Sequence, residues 1–150
     1  MLTKKGKYGL KALLHLARLA PGETAPGAEI AAANNLPKKF LDAILVELRN
    51  DGLVRSKKGP GGGFALARPA GQISIGQIVR LLDGPLAPIR CASRTAYEPC
   101  DDCVSVAKCG VRIAMLEVRD AMAAVLDHTS LEQMARKNRV GARVRRPADA

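Results

Sequence analysis

Four cysteines lie in one segment of the chain, with intervals of 8, 2 and 5 residues between them: Cys91, Cys100, Cys103 and Cys109. Thiolates are the usual ligands of iron–sulfur clusters, and one proline-interrupted loop that carries four of them can wrap a cluster. Four cysteines also satisfy a structural zinc site, although only Cys100 and Cys103 have the CxxC spacing of common zinc folds. A thiol–disulfide switch and cysteines without a ligand role are the other interpretations that this spacing leaves open.

Basic side chains flank these cysteines: Arg90, Arg94, Lys108 and Arg112. A nearby positive charge favours the thiolate, so we expect these residues to lower the pKa values of the thiols. The same charges would offset the negative charge of a bound cluster. The two histidines are not assigned to this site, because His15 is interpreted as a boundary residue of the first helix and His128 lies at a helix end.

The excess of positive charge is concentrated in the first half of the chain and at its C-terminal end. The formal net charge is +10 and the pI is about 9.9. Residues 1–70 contain 12 Lys and Arg against 5 Asp and Glu, residues 71–134 contain 6 against 8, and residues 135–150 contain 6 against 1. This distribution predicts an anionic partner that binds mainly the first half of the chain.

No stretch of the sequence reaches the roughly 18 apolar residues that a membrane span requires. The basic start resembles that of a signal peptide, but Lys11, His15 and Arg18 interrupt the apolar segment that follows it. We therefore expect a cytoplasmic protein without a membrane partner. In that compartment cysteines more often serve metal or redox chemistry than structural disulfides.

The hydrophobic periodicity of the first half predicts a helix-turn-helix. Apolar residues at intervals of 3 and 4 indicate a first amphipathic helix: Leu10, Leu13, Leu14 and Ala17. A short alanine-rich helix over residues 28–34 and a break at residues 35–37 follow. A longer helix then begins at Pro37, which suits the first helical position, and ends before Gly52. The apolar stripe of this longer helix consists of Phe40, Leu41, Ile44, Leu45 and Leu48.

After Gly52 the periodicity changes to two, which predicts a β-hairpin with a glycine-rich tip. Val54 and Ser56 precede the glycines, and Phe64 and Leu66 follow them. A phosphate-binding P-loop is excluded, because its last glycine precedes Lys-Ser/Thr and then a helix. A helix-turn-helix followed by a basic hairpin is a winged helix, in which the hairpin tip lies against DNA.

The C-terminal half is predicted to contain a helix over residues 74–82, a long helix from Cys109 and a short final helix. The long helix carries a heptad seam: Val111, Met115, Val118, Met122 and Val125. Ile113, Leu116 and Leu126 add apolar surface outside this seam. A helix with more than one apolar side usually has more than one partner, so we expect a homodimer through this helix.

The predicted fold is mainly α with a small β-hairpin wing. Four parts follow from the pattern: a winged helix-turn-helix domain over residues 1–83, a cysteine-rich loop over 84–108, a dimerisation helix with a short C-terminal helix over 109–135, and a disordered basic tail over 136–150.

Four features together resemble the IscR/NsrR/RirA group of bacterial winged helix-turn-helix regulators. These are the KKGKYGLKALLHLA first helix, the LPKKFLDAILVELRNDGLV helix, the SKKGPGGGFALA wing, and cysteines just before a long helix. The likeness covers about residues 1–135, and the wing is its most specific part. It implies a dimeric transcription factor, usually a repressor, that binds a palindromic operator on double-stranded DNA. In many members an iron–sulfur cluster controls DNA affinity.

The resemblance assigns DNA contacts to the first helix, the start of the recognition helix and the wing tip. In that order the matching residues are Lys7 and Tyr8; Pro37, Lys38, Lys39 and Asp42; and Lys57, Lys58, Gly59, Pro60 and Gly61. Asp42 matches an acidic position that takes part in base discrimination, where an acceptor can bond a cytosine amino group. Pro37 stands where relatives often have a DNA-contacting serine, and Lys58 stands where IscR has an arginine, so operator contacts are expected to differ.

The resemblance also assigns the cluster ligands. Cys91, Cys103 and Cys109 match the three cysteines of the family, and Cys100 is additional. Arg112 stands where IscR has a histidine ligand, and Lys7 stands where NsrR has an aspartate from the partner subunit. The implied cofactor is an iron–sulfur cluster, with [4Fe–4S] preferred and [2Fe–2S] as the alternative, held by the three cysteines plus Cys100 or an exogenous ligand.

Three alternative functions stand beside the cluster-controlled regulator. A cluster-free regulator of the same fold would use a thiol switch or a small-molecule effector. An enzyme is not expected, because Cys100 and Cys103 lack a βαβ context and no catalytic constellation is evident. An RNA-binding protein is disfavoured by the aromatic content of 3%, because single-stranded bases stack on aromatic side chains.

Overall fold

The computed structural model describes residues 2–141, which form six α-helices and one two-stranded antiparallel sheet. The helices are α1 (Lys4–Leu16), α2 (Gly27–Asn34), α3 (Lys38–Asn50), α4 (Ile75–Asp83), α5 (Gly110–Asp127) and α6 (Leu131–Gly141). The strands are β1 (Val54–Lys57) and β2 (Gly63–Leu66), and short 3₁₀ turns span Ala70–Gln72 and Arg90–Ala92. The predicted fold class is confirmed. None of the described helices is long and apolar enough to cross a lipid bilayer.

The turn between α2 and α3 is closed by a residue in the left-handed conformation. Asn35 has φ 52° and ψ 51°, a region that asparagine tolerates better than most residues. The Leu36 N–H donates to the Ala31 carbonyl oxygen at 2.9 Å, which satisfies a carbonyl at the end of α2. Pro37 occupies the extended N-cap position, so α3 begins at Lys38, one residue later than predicted. The two helices form the predicted helix-turn-helix.

The wing is a hairpin that is anchored to the helix-turn-helix. In the antiparallel register Lys57 lies opposite Gly63. On the other edge of β2, Phe64 exchanges two backbone hydrogen bonds with Ala25, at 2.8 and 2.9 Å. Ala25 lies just before α2, so this extra pairing fixes the wing beside the helices.

Gly63→Ala is expected to loosen the wing. Gly63 has φ 152°, and a Cβ atom there would lie 2.5 Å from the backbone of Ala25. Strain of about 2 kcal/mol should accelerate amide hydrogen exchange in β2 by roughly 30-fold. Gly22→Ala is the matched control, because Gly22 has φ 83° with nothing within 4 Å of a Cβ. Equal rates of amide hydrogen exchange in β2 of the two variants would show that overlap of the added Cβ atom with Ala25 does not loosen the wing.

An aliphatic core joins α1, α3 and α4. Leu13, Leu41, Leu48 and Ile78 are completely buried in it. The helices α1 and α4 approach closely at Gly9, where a Cβ atom would overlap the side chain of Leu82. Tight packing of this kind gives α3 a rigid base.

The last helix returns to the N-terminal domain. Leu131 is completely buried in the core, and its N–H donates to the Ile73 carbonyl oxygen at 2.8 Å. An ion pair of 2.9 Å between Glu132 and Arg136 supports α6 beyond residue 135. The predicted disordered tail over 136–150 is therefore wrong for residues 136–141, which are helical, and residues 142–150 lie outside the described residues.

The helix α5 leaves much of its predicted heptad seam exposed. Val111, Val118 and Val125 are 64%, 43% and 63% exposed, whereas Met115 and Met122 are half-buried. Ala123 is the single buried residue of α5. Within one protomer, this apolar face is therefore largely uncovered.

Candidate nucleic-acid interface and cysteine pocket

The first turn of α3 carries two of the basic residues assigned to DNA. Lys38 and Lys39 are both exposed. The Lys38 ammonium lies 2.8 Å from a carboxylate oxygen of Asp42, one turn farther along the helix. This ion pair engages the Asp42 carboxylate, which is the acceptor that the resemblance assigned to base discrimination. Pro37 makes no side-chain hydrogen bond at the N-cap, as its chemistry requires.

An aromatic contact brings α1 to the start of α3. The rings of Tyr8 and Phe40 meet edge to face, with centroids 5.5 Å apart and planes inclined by 75°. Phe40 belongs to the apolar stripe read from the sequence, but its side chain is 39% exposed and packs against Tyr8 at the surface. Lys7, the neighbour of Tyr8, is exposed beside this contact.

The predicted wing-tip residues form an exposed turn: Lys57, Lys58, Gly59, Pro60 and Gly61. The Thr24 hydroxyl donates to the Gly61 carbonyl oxygen at 2.9 Å, which ties the tip to the loop before α2. Sequence analysis did not identify Thr24. Its contact depends on the folded position of the wing, and no local pattern marks it.

Several lysines of this surface carry uncompensated charge. Among residues 2–141, Lys39, Lys57 and Lys58 have no carboxylate within 4.0 Å, whereas Lys5 pairs with Glu47 at 2.8 Å. Unpaired cations on α3 and on the wing favour binding of phosphate groups.

Two further exposed residues of α3 were not assigned to the interface. Ala43 and Val46 follow Lys39 at intervals of 4 and 3, so the three residues share one face of the helix. This face is opposite the buried stripe of Leu41, Ile44, Leu45 and Leu48. The helical spacing was the signal that could have identified them.

All four cysteines line one cavity of about 610 Å³. The cavity lies between the 3₁₀ turn at Arg90–Ala92, the loop that follows it and the first turn of α5. Cys91 is buried and Cys100 is exposed, while Cys103 and Cys109 are half-buried. The fold therefore brings the predicted ligands around a common space, here named the cysteine pocket.

Arg112 joins two of the cysteines to the start of α5. Cys109 is the N-cap of α5, and its Sγ accepts the Arg112 N–H at 3.5 Å. The Arg112 Nε donates to the Cys91 carbonyl oxygen at 2.9 Å. These two hydrogen bonds fix the positions of Cys91 and Cys109 relative to the start of α5.

Cys91 and Cys100 are neighbours in the pocket. The Cys100 thiol donates to the Cys91 sulfur, with the two Sγ atoms 3.6 Å apart. This hydrogen bond is the main reason that the pKa of Cys100 is raised, and Asp102 and the other sulfurs act in the same direction. The expected lowering of the thiol pKa is therefore wrong for Cys100. Two of the arginines are engaged elsewhere, Arg90 with Glu98 and Arg94 with Asp120.

The thiols of the cysteine pocket do not converge on one point in the part of the chain that the structure describes. Within residues 2–141, no three His, Cys, Asp or Glu side chains are grouped to hold one ion. A cluster is larger and takes thiolates that stand apart around a cavity. The thiols of Cys91, Cys103 and Cys109 all line the cysteine pocket.

An ion pair connects the cysteine loop with the middle of α5. The Arg94 guanidinium donates to both carboxylate oxygens of Asp120, at 2.8 and 3.0 Å. Hydrogen bonds from Arg94 and Arg119 lower the pKa of Asp120 to about 2. The pair therefore stabilises the fold above the ordinary pKa of 3.8, and this contribution is lost as the pH falls toward 2.

Arg94→Ala is expected to return the pKa of Asp120 toward its ordinary value, because Arg94 is the largest cause of the shift. NMR titration of the Asp120 carboxyl carbon measures this change directly. Arg119→Ala is the control and should raise the pKa by less. A larger rise in Arg119→Ala would contradict the link between the loop and α5.

Comparisons with known proteins agree with this architecture. Residues 2–137 match the Rrf2 family, described as iron-dependent transcriptional regulators. An rrf2-like HTH-type transcriptional regulator of Rhodobacter capsulatus is 43% identical over 137 residues, covering 89% of this chain and 91% of that protein. The structure of CymR, the global cysteine regulator of B. subtilis, has a TM-score of 0.76 at 34% identity and covers 91% of this chain and 97% of that one. The structure of T. potens IscR has a TM-score of 0.72 at 27% identity, and the match covers 98% of this chain and 93% of that one.

The resemblance drawn from the helix-turn-helix, the wing and the cysteines is thus confirmed. The family and the relatives are transcriptional regulators and not enzymes, in agreement with the sequence. The relatives include both IscR and CymR, so the family name by itself does not decide which sensor this chain carries. The chain belongs to the Rrf2 family of winged-helix, DNA-binding transcriptional regulators.

Proposed function

We propose that this protein is a homodimeric repressor of a palindromic operator, with an operator affinity set by an iron–sulfur cluster in the cysteine pocket. The observation that carries the proposal is that four thiols line one cavity beside the first turn of α5. Cys91, Cys103 and Cys109 would hold the cluster, with [4Fe–4S] preferred over [2Fe–2S]. When bound, the cluster makes the order of this loop dependent on iron, oxygen or nitric oxide.

The DNA-binding half of the proposal rests on the surface of α3 and the wing. In a winged helix-turn-helix the second helix enters the major groove, which places Lys39 near the bases. Lys57 and Lys58 at the wing tip, and Lys7 on α1, are exposed for contacts with the phosphate backbone. The unpaired charge on Lys39, Lys57 and Lys58 supports this assignment.

The homodimer is supported by the uncovered face of α5. Its three valines of the heptad seam are each more than 40% exposed, although this face is apolar. Burial of such a face against the same face of a second copy produces a two-fold symmetric dimer. Two-fold symmetry in turn requires a palindromic operator with one half-site for each α3.

The cysteine pocket is connected to the dimerisation helix at two points. Arg112 bridges Cys91 and the first turn of α5, and Arg94 holds Asp120 farther along. Ordering of the loop can therefore shift α5 and change the spacing of the two recognition helices. A change in this spacing alters operator affinity, so the sensor and the operator are linked by a coupling free energy.

Anaerobically purified protein tests the proposal. We expect a broad absorption band near roughly 400 nm and about four iron and four sulfide per chain for a [4Fe–4S] cluster. Cluster removal should change the affinity for an operator selected from random duplexes by at least about fivefold. Cys91→Ser should lose the iron, whereas Val104→Ser, at a fully exposed valine of the same pocket, should keep it. Protein without iron and sulfide would contradict the cluster and leave DNA binding intact.

A thiol–disulfide switch is the second candidate function, and the 3.6 Å between the sulfurs of Cys91 and Cys100 favours it. With hydrogen peroxide as oxidant, two S–H bonds and the peroxide O–O bond break, one S–S bond forms, and two water molecules leave. The sulfurs need to approach to about 2.05 Å, which is a small movement for two side chains.

Mass spectrometry separates the two candidates. If the switch operates, peroxide-treated apoprotein gives a linked Cys91–Cys100 peptide with two hydrogens fewer, and operator affinity changes with it. Cys100→Ser should abolish this product, whereas Cys103→Ser should leave it. If the cluster alone is the sensor, formation of the linked peptide has no effect on operator binding.

A further inference from the structure

The outward face of α3 has an apolar row that packing within the protomer does not explain. Ala43 and Val46 are exposed, and the Val46 side chain has an exposed fraction of 42%. Lys39 begins the same row, and the exposed edge of Phe40 adjoins it. Scattered apolar residues at a protein surface are ordinary. These residues, however, form a line on the helix that a winged helix-turn-helix presents to the major groove.

The charges around this row define its partner. Lys39 lies at one end of the row, and Lys57 and Lys58 project from the adjoining wing, all without a carboxylate partner among the described residues. A partner must therefore combine many negative charges with a small apolar group. Duplex DNA satisfies both requirements, because the 5-methyl group of thymine is the apolar feature of its major groove.

We propose that Ala43 and Val46 contact thymine methyl groups and thereby specify A·T base pairs in each operator half-site. The inference rests on the proposed insertion of α3 into the major groove. The small Ala43 side chain permits close approach of the helix backbone to the bases. Val46 presents two methyl groups on a side chain whose χ1 is already restricted in a helix, so little entropy is lost on contact.

The position of Asp42 favours base contacts by Ala43 and Val46 over a base contact by Asp42. Its carboxylate is paired with Lys38 at 2.8 Å, and it lies on the flank of α3 and not in the outward row. A contact with cytosine through Asp42 would have to compete with this ion pair. Ala43 and Val46 are exposed, so they are accessible to the base edges.

Replacement of thymine by deoxyuridine tests the proposal, because it removes the 5-methyl group and leaves the hydrogen-bonding edge unchanged. A duplex operator is selected from random sequences, and each thymine is replaced in turn. We expect wild-type affinity to fall about fourfold for each contacted methyl group. In Val46→Ser the loss at the matching position should fall below about twofold. Valine and serine have similar helix propensities, so α3 should remain folded, which circular dichroism verifies.

Val104→Ser is the matched control, since it makes the same chemical change at a fully exposed valine outside α3. It should respond to deoxyuridine like the wild type. Wild-type binding that is unaffected by every deoxyuridine would overturn the methyl contact while leaving DNA binding by α3 in place. Val46→Ser that weakens thymine and uracil duplexes equally would also overturn it. Wild-type protein that selects no duplex would instead contradict the proposed function itself.

Discussion

Simultaneous replacement of Lys57 and Lys58 by alanine is expected to weaken operator binding by about 100-fold at 0.1 M salt. Both ammonium groups are exposed on the wing tip, and the ion pairs found in the structure do not include them. Each protein–phosphate contact releases counterions from DNA, so its contribution to affinity is large at low salt. The proposed homodimer would lose four such cations, two on each wing.

The salt dependence distinguishes lost phosphate contacts from a damaged fold. The slope of log K against log salt should become shallower by about 2 to 4, since each phosphate contact contributes about 0.9. Lys137→Ala, which removes an exposed lysine from α6, is the control and should leave the slope unchanged. A weaker affinity with an unaltered slope would mean that the wing lysines do not contact phosphates.

Leu131→Ala is expected to lower the free energy of unfolding by about 3 kcal/mol, the usual cost of a cavity in place of a buried leucine. Leu131 is completely buried, although it belongs to the last helix of the described chain. Its backbone also pairs with Ile73, so the side chain is held where the core cannot easily collapse. Urea unfolding at a fixed protein concentration measures the loss, because the proposed dimerisation would make stability concentration-dependent.

Leu131→Met is the matched control and should cost less than about 1.5 kcal/mol, because it nearly conserves the buried volume. A cost below about 1 kcal/mol for Leu131→Ala would indicate that α6 does not complete the core of the N-terminal domain.

Local patterns of the sequence determined the secondary structure and the family. The helix-turn-helix is confirmed because its signals are short-range: a helical apolar stripe, and an asparagine able to adopt positive φ at the turn. Ser74, the first residue of the helix predicted over residues 74–82, is the N-cap of α4, and its hydroxyl accepts the Gln77 N–H at 3.1 Å. The long helix begins after Cys109 as expected. Signals of this kind act between residues a few positions apart.

Only the tertiary structure decided how distant segments meet. The CxxC spacing pairs Cys100 with Cys103, yet the loop places the Cys100 sulfur beside Cys91. The helical spacing groups Phe40 with the buried leucines of α3, yet its ring is 39% exposed and contacts Tyr8 of another helix. In both cases the neighbours of a side chain depend on the path of the chain between distant segments. Neither the intervals between cysteines nor the helical periodicity of apolar residues encodes that path.

The sequence by itself thus determined the winged helix-turn-helix, its basic surface and the four candidate thiols. The tertiary structure decided that these thiols share one cavity, that α6 completes the core, and that Ala43 and Val46 face outward from α3. The physical reason is the range of the interactions involved. Periodicity and capping depend on neighbours along the chain, whereas cavities, burial and exposed rows are set by packing between segments far apart in sequence.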